Sequence, residues 1–280
     1  MTARSLDGAV VLITGGAHGI GAETARQAAG RGAVCALLDV DGEAAAATAA
    51  ALPGRADHLG LALDVTDSAA VTAAVDDVAA RLGGLDVVVA NAGIGEAGTV
   101  ATRPVEALLR TVDINLGGVV RTAHAALPHL VERRGYLLLV SSAAALKNVP
   151  GGSCYAASKA GVEAFGGALR LEVAHRGVAV GVAHPAWVRT PMFEAQTASQ
   201  AFNDGIRRLP WPFNVVSPVE ECGAAFLRGI ERRQRKIYVP EALRYVDKVR
   251  GVFTGALWDR AVGLRAHDTV PAMEHEAVGR

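Results

Sequence analysis

The feature that most constrains the fold is a recurrence: seven short runs rich in Val, Leu and Ile, separated by longer segments rich in Ala and other helix formers. The runs are AVVLIT, AVCALLD, HLGLALD, LDVVVAN, GYLLLVSS, GVAVGVAHP and KIYVP. Most are apolar at every position and not at every second one, the pattern of strands whose two faces are both covered by helices. Such strands belong to a parallel sheet. The intervening GIGAETARQAAGRG, GEAAAATAAAL, SAAVTAAVDDVAARLG and CYAASKAGVEAFGGALRLEVAHRG carry strong helix formers, and several end in Gly. The alternation predicts an α/β fold: a single Rossmann-type, doubly wound domain with a seven-stranded parallel sheet flanked by helices. At 280 residues and 51% hydrophobic composition, the chain is long enough for one large core.

Directly after the first run comes TGGAHGIG, Thr14 to Gly21, where a strand turns sharply into a helix. Glycines at 15, 19 and 21 let a backbone approach a pyrophosphate, and the first helical turn offers unpaired N–H groups to its charge. His18 and Ile20 complete the turn. The second run ends in Asp39, eighteen residues past Gly21, placed to accept from an adenosine ribose and to repel a 2′-phosphate. This favours NAD, with NADP as the alternative because His18 could become cationic and attract a phosphate. Asp39 also reads as an ordinary helix-capping or turn aspartate. Asp64 and Val65 end the third run, and Asn91, Ala92 and Gly93 end the fourth, at the carboxyl edge where open parallel sheets bind ligands.

SCYAASKAG puts Tyr155 four residues ahead of Lys159, one helical turn apart with small residues between. A tyrosine with its ordinary pKa of about 10 is a poor base near neutrality, but an adjacent ammonium stabilises the tyrosinate. Most pairs with this spacing do no chemistry, so the context decides. Ser142 stands thirteen residues before Tyr155, and Asn115 lies in DINLGG upstream. Taken singly, the serine reads as a cap or turn residue and the asparagine as a buried amide bracing a helix kink.

In order and spacing, these motifs resemble the classical short-chain dehydrogenase/reductase family from about residue 5 to residue 240. TGGAHGIG is similar to its cofactor loop, the pair at 64–65 to its adenine contact, and NAG at 91–93 to its sheet-stabilising motif. The resemblance implies catalytic roles for Asn115, Ser142, Tyr155 and Lys159. Tyr155 would act as acid/base, Lys159 would hold the cofactor ribose, Ser142 would orient the substrate oxygen, and Asn115 would position a water toward Lys159. In HPAWVRTPM, residues Pro185, Val188 and Thr190 match the segment that contacts nicotinamide. Ala90 and Ala186 depart from the family pattern, the latter standing where a glycine commonly follows the proline. The implied activity is NAD(P)-dependent interconversion of a secondary alcohol and a ketone. A homotetramer or dimer built through flanking helices is also implied. A non-catalytic NAD-binding scaffold or redox sensor is the alternative on such a fold, and the complete Ser/Tyr/Lys/Asn set argues against it.

Charge and composition exclude several classes. Lys plus Arg and Asp plus Glu each number 28, with no basic stripe, so nucleic acid is not an expected partner. Cys35, Cys154 and Cys222 are far apart, and the eight histidines show no ligand spacing, so neither disulfide nor metal is expected. No apolar run approaches the ~18 residues that span a bilayer, and no cleavage pattern precedes the first strand. A cytoplasmic protein without stable membrane insertion is expected.

Two regions break the strand–helix rhythm. Residues 189–217 mix prolines with Met192, Phe193, Phe202, Trp211 and Phe213, and read either as a lid over an apolar substrate or as a surface excursion docked by its aromatics. A steroid-, terpenoid-, polyketide- or acyl-like substrate would suit the lid. Beyond the catalytic domain at 1–240, the extension 241–280 repeats Leu243, Val246, Val249, Phe253, Leu257 and Leu264 at roughly helical spacing. Packing on the body or a second subunit is expected, with a basic helix on a membrane surface as the alternative.

Overall fold

A computed structural model of the chain describes residues 3–256 apart from 55–56, 96–97, 149 and 198–199, with scattered positions between 260 and 275. The seven runs form one parallel sheet: β1 (Val10–Thr14), β2 (Val34–Asp39), β3 (Leu59–Ala62), β4 (Val87–Ala90), β5 (Tyr136–Val140), β6 (Ala179–Pro185) and β9 (Lys236–Val239). Their order is β3-β2-β1-β4-β5-β6-β9, so the chain reverses direction across the sheet between β1 and β4. That crevice, at the carboxyl ends of the strands, is where such sheets bind ligands.

The continuous apolar runs follow from burial on both sides. In β1, Val11 and Ile13 enter one core with α1 (Gly19–Ala29), α2 (Gly42–Ala50) and α9 (Val219–Glu231). Val10 and Leu12 enter the opposite core with α3 (Ser68–Leu82), α5 (Gly118–Arg133) and α6 (Ser153–Val173). Each fully buried aliphatic contributes about 1.5–3 kcal/mol relative to exposure, and the one polar residue of β1, buried Thr14, has its hydroxyl bonded by the Asn91 and Ala92 N–H groups. Asp41 caps α2 by accepting from the Ala44 N–H at 2.9 Å, and Asp67 caps α3 by accepting from Ala69 and Ala70.

Residues 189–217 are not a bare loop. They hold α7 (Pro191–Thr197), α8 (Gln200–Arg207) and β8 (Val216–Ser217), which pairs in parallel with β7 (Trp187–Val188). Of the aromatics in this segment, Phe213 is fully buried and Trp211 is largely exposed, while the Phe202 side chain lies outside the described residues. The extension begins with α10 (Leu243–Lys248) and α11 (Arg250–Phe253). Leu243 and Val246 pack with Ala143, Leu146 and Phe213, whereas Val249 faces solvent. The Phe253 side chain, Leu257 and Leu264 lie outside the described residues.

Candidate active site

At the end of β1 the chain enters the turn through Gly15, whose φ of +64° lies where side chains are disfavoured. A methyl at Gly21 would run into the Gly15 carbonyl oxygen, and one at Gly15 would sit 2.8 Å from Ala92 Cα. Glycine is therefore required for the turn to close against the segment after β4. Asn91 fastens that closure by donating from Nδ2 to the carbonyls of Thr14 and Gly15 at 3.0 and 2.9 Å. His18 occupies the N-cap of α1 and, unlike Asp41 and Asp67, makes no side-chain cap bond. The first-turn N–H groups of α1 thus face outward without a side-chain acceptor, an arrangement that suits an anion.

Asp39 lies beside this turn. Its Oδ2 accepts from the Ala17 N–H at 3.0 Å and its Oδ1 from Asp41 N–H at 3.3 Å, while the cap of α2 is Asp41 itself. Asp64 is exposed and accepts from both the backbone and the hydroxyl of Thr66, which lower its carboxyl below the ordinary range. Val65 turns into the core, and Ile20 packs partly against the opposite core. Thr190 comes back over the glycine turn, with its Cγ2 3.2 Å from where a methyl on Gly19 would stand. Val188 is buried beneath it, and the Thr190 hydroxyl donates to the Val188 carbonyl at 3.3 Å. Ala186 keeps its N–H on the Val239 carbonyl, and its methyl packs toward Leu146 and Phe213.

Four further elements converge across the crevice. Ser142 follows β5 and opens the 3₁₀ turn Ala143–Leu146; its hydroxyl donates to the Pro185 carbonyl at 3.4 Å and accepts from Ala144 N–H. The Tyr155 phenol lies near enough to this hydroxyl for Ser142 to oppose the rise that burial imposes on it. Asn115 is completely buried in a π-helical turn, Asp113–Gly117, between α4 (Val105–Val112) and α5. Its amide clamps Ile94, accepting from the N–H at 2.8 Å and donating to the carbonyl at 2.9 Å, and reaches Ser158 Oγ at 3.3 Å. Lys159 is buried in α6 and donates from Nζ to the Val140 carbonyl at 3.0 Å. A methyl placed on Gly93 would lie 2.9 Å from Asn115 Oδ1 and 3.3 Å from Lys159 Nζ, so Gly93 keeps these groups within reach of one another.

The electrostatics differ from the sequence expectation in one respect. Burial raises the Tyr155 phenol above 10, and the nearby Ser142 hydroxyl offsets only part of that. The Lys159 ammonium lies 5.8 Å from the ring centroid and is turned to Val140, while burial brings it down to about 8. A second buried lysine was not legible: Lys147, at the end of the 3₁₀ turn, is only 4% exposed and lies between the rings of Trp187 and Phe213. Nothing in the local sequence separates it from a solvated loop lysine. Among the described residues there is no cluster of groups suited to a metal ion, and no helix is long and apolar enough to cross a membrane.

Residues 9–201 match the family model for short chain dehydrogenase. Over 219 residues the chain is 36% identical to the 2-dehydro-3-deoxy-L-rhamnonate dehydrogenase (NAD(+)) of Sphingomonas sp. (strain SKA58), covering 78% of this chain and 86% of that one. It is 37% identical over 214 residues to the (-)-trans-carveol dehydrogenase of Rhodococcus erythropolis, covering 71% and 77% of the two chains. A solved short-chain type dehydrogenase/reductase from Mycobacterium marinum superposes with a TM-score of 0.75 at 28% identity, over 84% of this chain and 94% of that one.

Proposed function

The chain belongs to the short-chain dehydrogenase family, and from that premise we propose that it interconverts a hydrophobic secondary alcohol and its ketone with NAD, using Tyr155 as acid/base. The observation that carries the reading is the convergence of the Ser142 hydroxyl and the Tyr155 phenol beside the buried amine of Lys159. Two hydroxyls so placed offer one substrate oxygen both a positioning donor and a proton acceptor.

The residues present fit a dinucleotide. Gly15, Gly19 and Gly21 clear the space over an uncapped helix start, and Asp39 borders it with a carboxylate that disfavours a 2′-phosphate. Asp64, Val65 and the 91–93 segment would flank the adenine side, and Pro185, Val188 and Thr190 the nicotinamide side. When bound, the oxidised nicotinamide supplies the hydride acceptor. In the oxidation direction, Ser142 holds the alcohol oxygen and Tyr155 takes its proton. Lys159 binds the ribose and, as an ammonium, steadies the tyrosinate. Asn115, fixed on Ile94, positions a water on a proton path to Lys159. Reduction runs the same proton back from Tyr155 to the alkoxide.

Leu146, Phe213, Leu243 and Val246 form an apolar cluster beside Ser142. That cluster docks 189–217, read as a lid, and the first helix of the extension 241–280 on a catalytic body of 1–240, and an apolar substrate is the reading for the space under the lid. A relative named for carveol is consistent with that polarity. Exposed Val105 and Leu109 on α4 and Val120 on α5 support self-association as a dimer or tetramer, which sedimentation would test against a monomer. The reading itself is tested by following NADH absorbance with a panel of bulky secondary alcohols and ketones. Hydride transfer to NAD is expected, and its absence across the panel would overturn the reading.

A further inference from the structure

Lys147 has no part in the chemistry above, yet the fold buries it five residues past Ser142. Its ammonium stands 4.3 Å from the Phe213 ring centroid and 5.7 Å from that of Trp187, and among the described residues it has no hydrogen bond or ion pair. Other buried charges here are provided for: Lys159 has the Val140 carbonyl, and Glu23 has Arg26 and Gln27. Withdrawing an ammonium from water without a partner costs several kcal/mol, and an aromatic face returns only about 0.5–2 kcal/mol. The imbalance shows in the group itself, which burial pushes down to about 7.

The position tells what is missing. Trp187 lies two residues past Pro185, whose carbonyl accepts from Ser142, and Trp187 Nε1 donates at 2.7 Å to the Phe213 carbonyl. Lys147 is therefore set into the wall shared by the Ser142 turn, the segment after β6 and residues 189–217. A compact point charge on a flexible stem suits one anionic oxygen group, and the proposed reaction brings the substrate to Ser142, on this same wall.

Building on the proposed dehydrogenase reading, we propose that Lys147 is a specificity-determining residue that receives a carboxylate carried by the substrate, making the substrate class an otherwise apolar hydroxy acid. The carboxylate is unchanged in the reaction. The carbinol carbon gives its hydride to the cofactor and its hydroxyl proton to Tyr155, and the product is the keto acid.

The experiment uses the full chain with NAD and a series of (ω−1)-hydroxy carboxylic acids of increasing length, each beside its methyl ester. At one length kcat/KM for the acid should exceed that for the ester by about tenfold or more, the scale of a charge-assisted hydrogen bond. Lys147→Met should bring the ratio near one by raising KM for the acid alone, and Lys147→Arg should restore part of it. Equal use of acid and ester by the wild type at every length would overturn the inference. So would a Lys147→Met variant that loses acid and ester activity alike, as a merely structural lysine requires. Calorimetric titration of the same pairs into the NAD-loaded chain needs no turnover. Acid-selective binding that disappears in Lys147→Met upholds the inference even if no compound is oxidised, a result that would sink only the dehydrogenase reading; absence of acid-selective binding overturns it.

Discussion

The Lys159 ammonium donates to the Val140 carbonyl at 3.0 Å, across the gap between α6 and the end of β5. That bond holds a buried amine one helical turn from Tyr155, and burial brings it down to about 8. Lys159 is therefore charged below that point and loses its charge as pH rises through it. Removing the charge should make Tyr155 a weaker acid. In Lys159→Met the rise of kcat/KM with pH in the oxidation direction should move to higher pH, and the KM for NAD should increase. A pH profile and NAD affinity equal to those of the wild type would contradict both roles given to the lysine.

Asp39 Oδ2 accepts from the Ala17 N–H, so its carboxylate stands at the rim of the glycine turn. Bringing a 2′-phosphate there sets like charges together, at a cost of several kcal/mol. With about 1.4 kcal/mol per tenfold, the wild type should prefer NAD over NADP by on the order of a hundredfold in kcat/KM. Asp39→Ala should reduce that ratio severalfold or more, chiefly through better use of NADP. A wild type that prefers NADP would overturn the cofactor assignment.

Gly21 has no room for a side chain, because a methyl would overlap the Gly15 carbonyl. Gly21→Ala should force the turn apart, lowering NAD affinity by about tenfold or more and stability by about 1–3 kcal/mol. Gly167, in the middle of α6, has nothing within 4 Å of where a methyl would stand and serves as the control. Gly167→Ala should leave NAD affinity alone and stabilise by about 0.5–1 kcal/mol. Calorimetric NAD binding and urea denaturation of the two variants separate the effects.

The extension is fastened by charge as well as by Leu243 and Val246. Glu163 of α6 bonds Lys236 at 2.8 Å and Arg250 at 3.2 Å, Asp247 bonds Lys236 and the Tyr238 hydroxyl at 2.6 Å each, and buried His184 lies 3.7 Å from Glu163. Burial alone would raise the Glu163 carboxyl, but the neighbouring His184 and the bonded Lys236 ammonium carry it down to about 2. A carboxyl lowered on folding stabilises above its ordinary 4.5, and that contribution is lost as pH falls toward about 2. Glu163→Gln should therefore cost about 1–3 kcal/mol at pH 7, with a deficit that narrows on acidification through this range. Urea denaturation at neutral and acidic pH checks it, and a deficit independent of pH would contradict the ionic account.

The seven sheet strands and the glycine turn were legible because each is decided locally. A run apolar at every position has to be covered on both faces, and Gly15 and Gly21 stand where the turn excludes a Cβ. The two-residue strands β7 and β8 carry no period to read, since only the pairing of Trp187 with Val216 and Val188 with Ser217 defines them. Nor does DINLGG announce a π-helical turn, which accommodates the Asn115 amide clamped on Ile94 from another part of the chain. For Asn115 the reading as a buried amide bracing a helix kink is what the structure shows, with that amide lying across Gly93 from Lys159. Lys147 escaped notice for a related reason: its burial is imposed by Trp187 and Phe213, forty and sixty-six residues downstream.

The most direct test of the account is Tyr155→Phe, which removes one oxygen and leaves the ring that α6 packs beside Ser142. With an alcohol that the wild type oxidises, NADH formation should fall by at least about a thousandfold, within the range that general acid–base groups contribute, while calorimetric NAD affinity stays within about twofold of the wild type. Turnover retained in Tyr155→Phe, with NAD still bound, would contradict the assignment of Tyr155 as the acid/base.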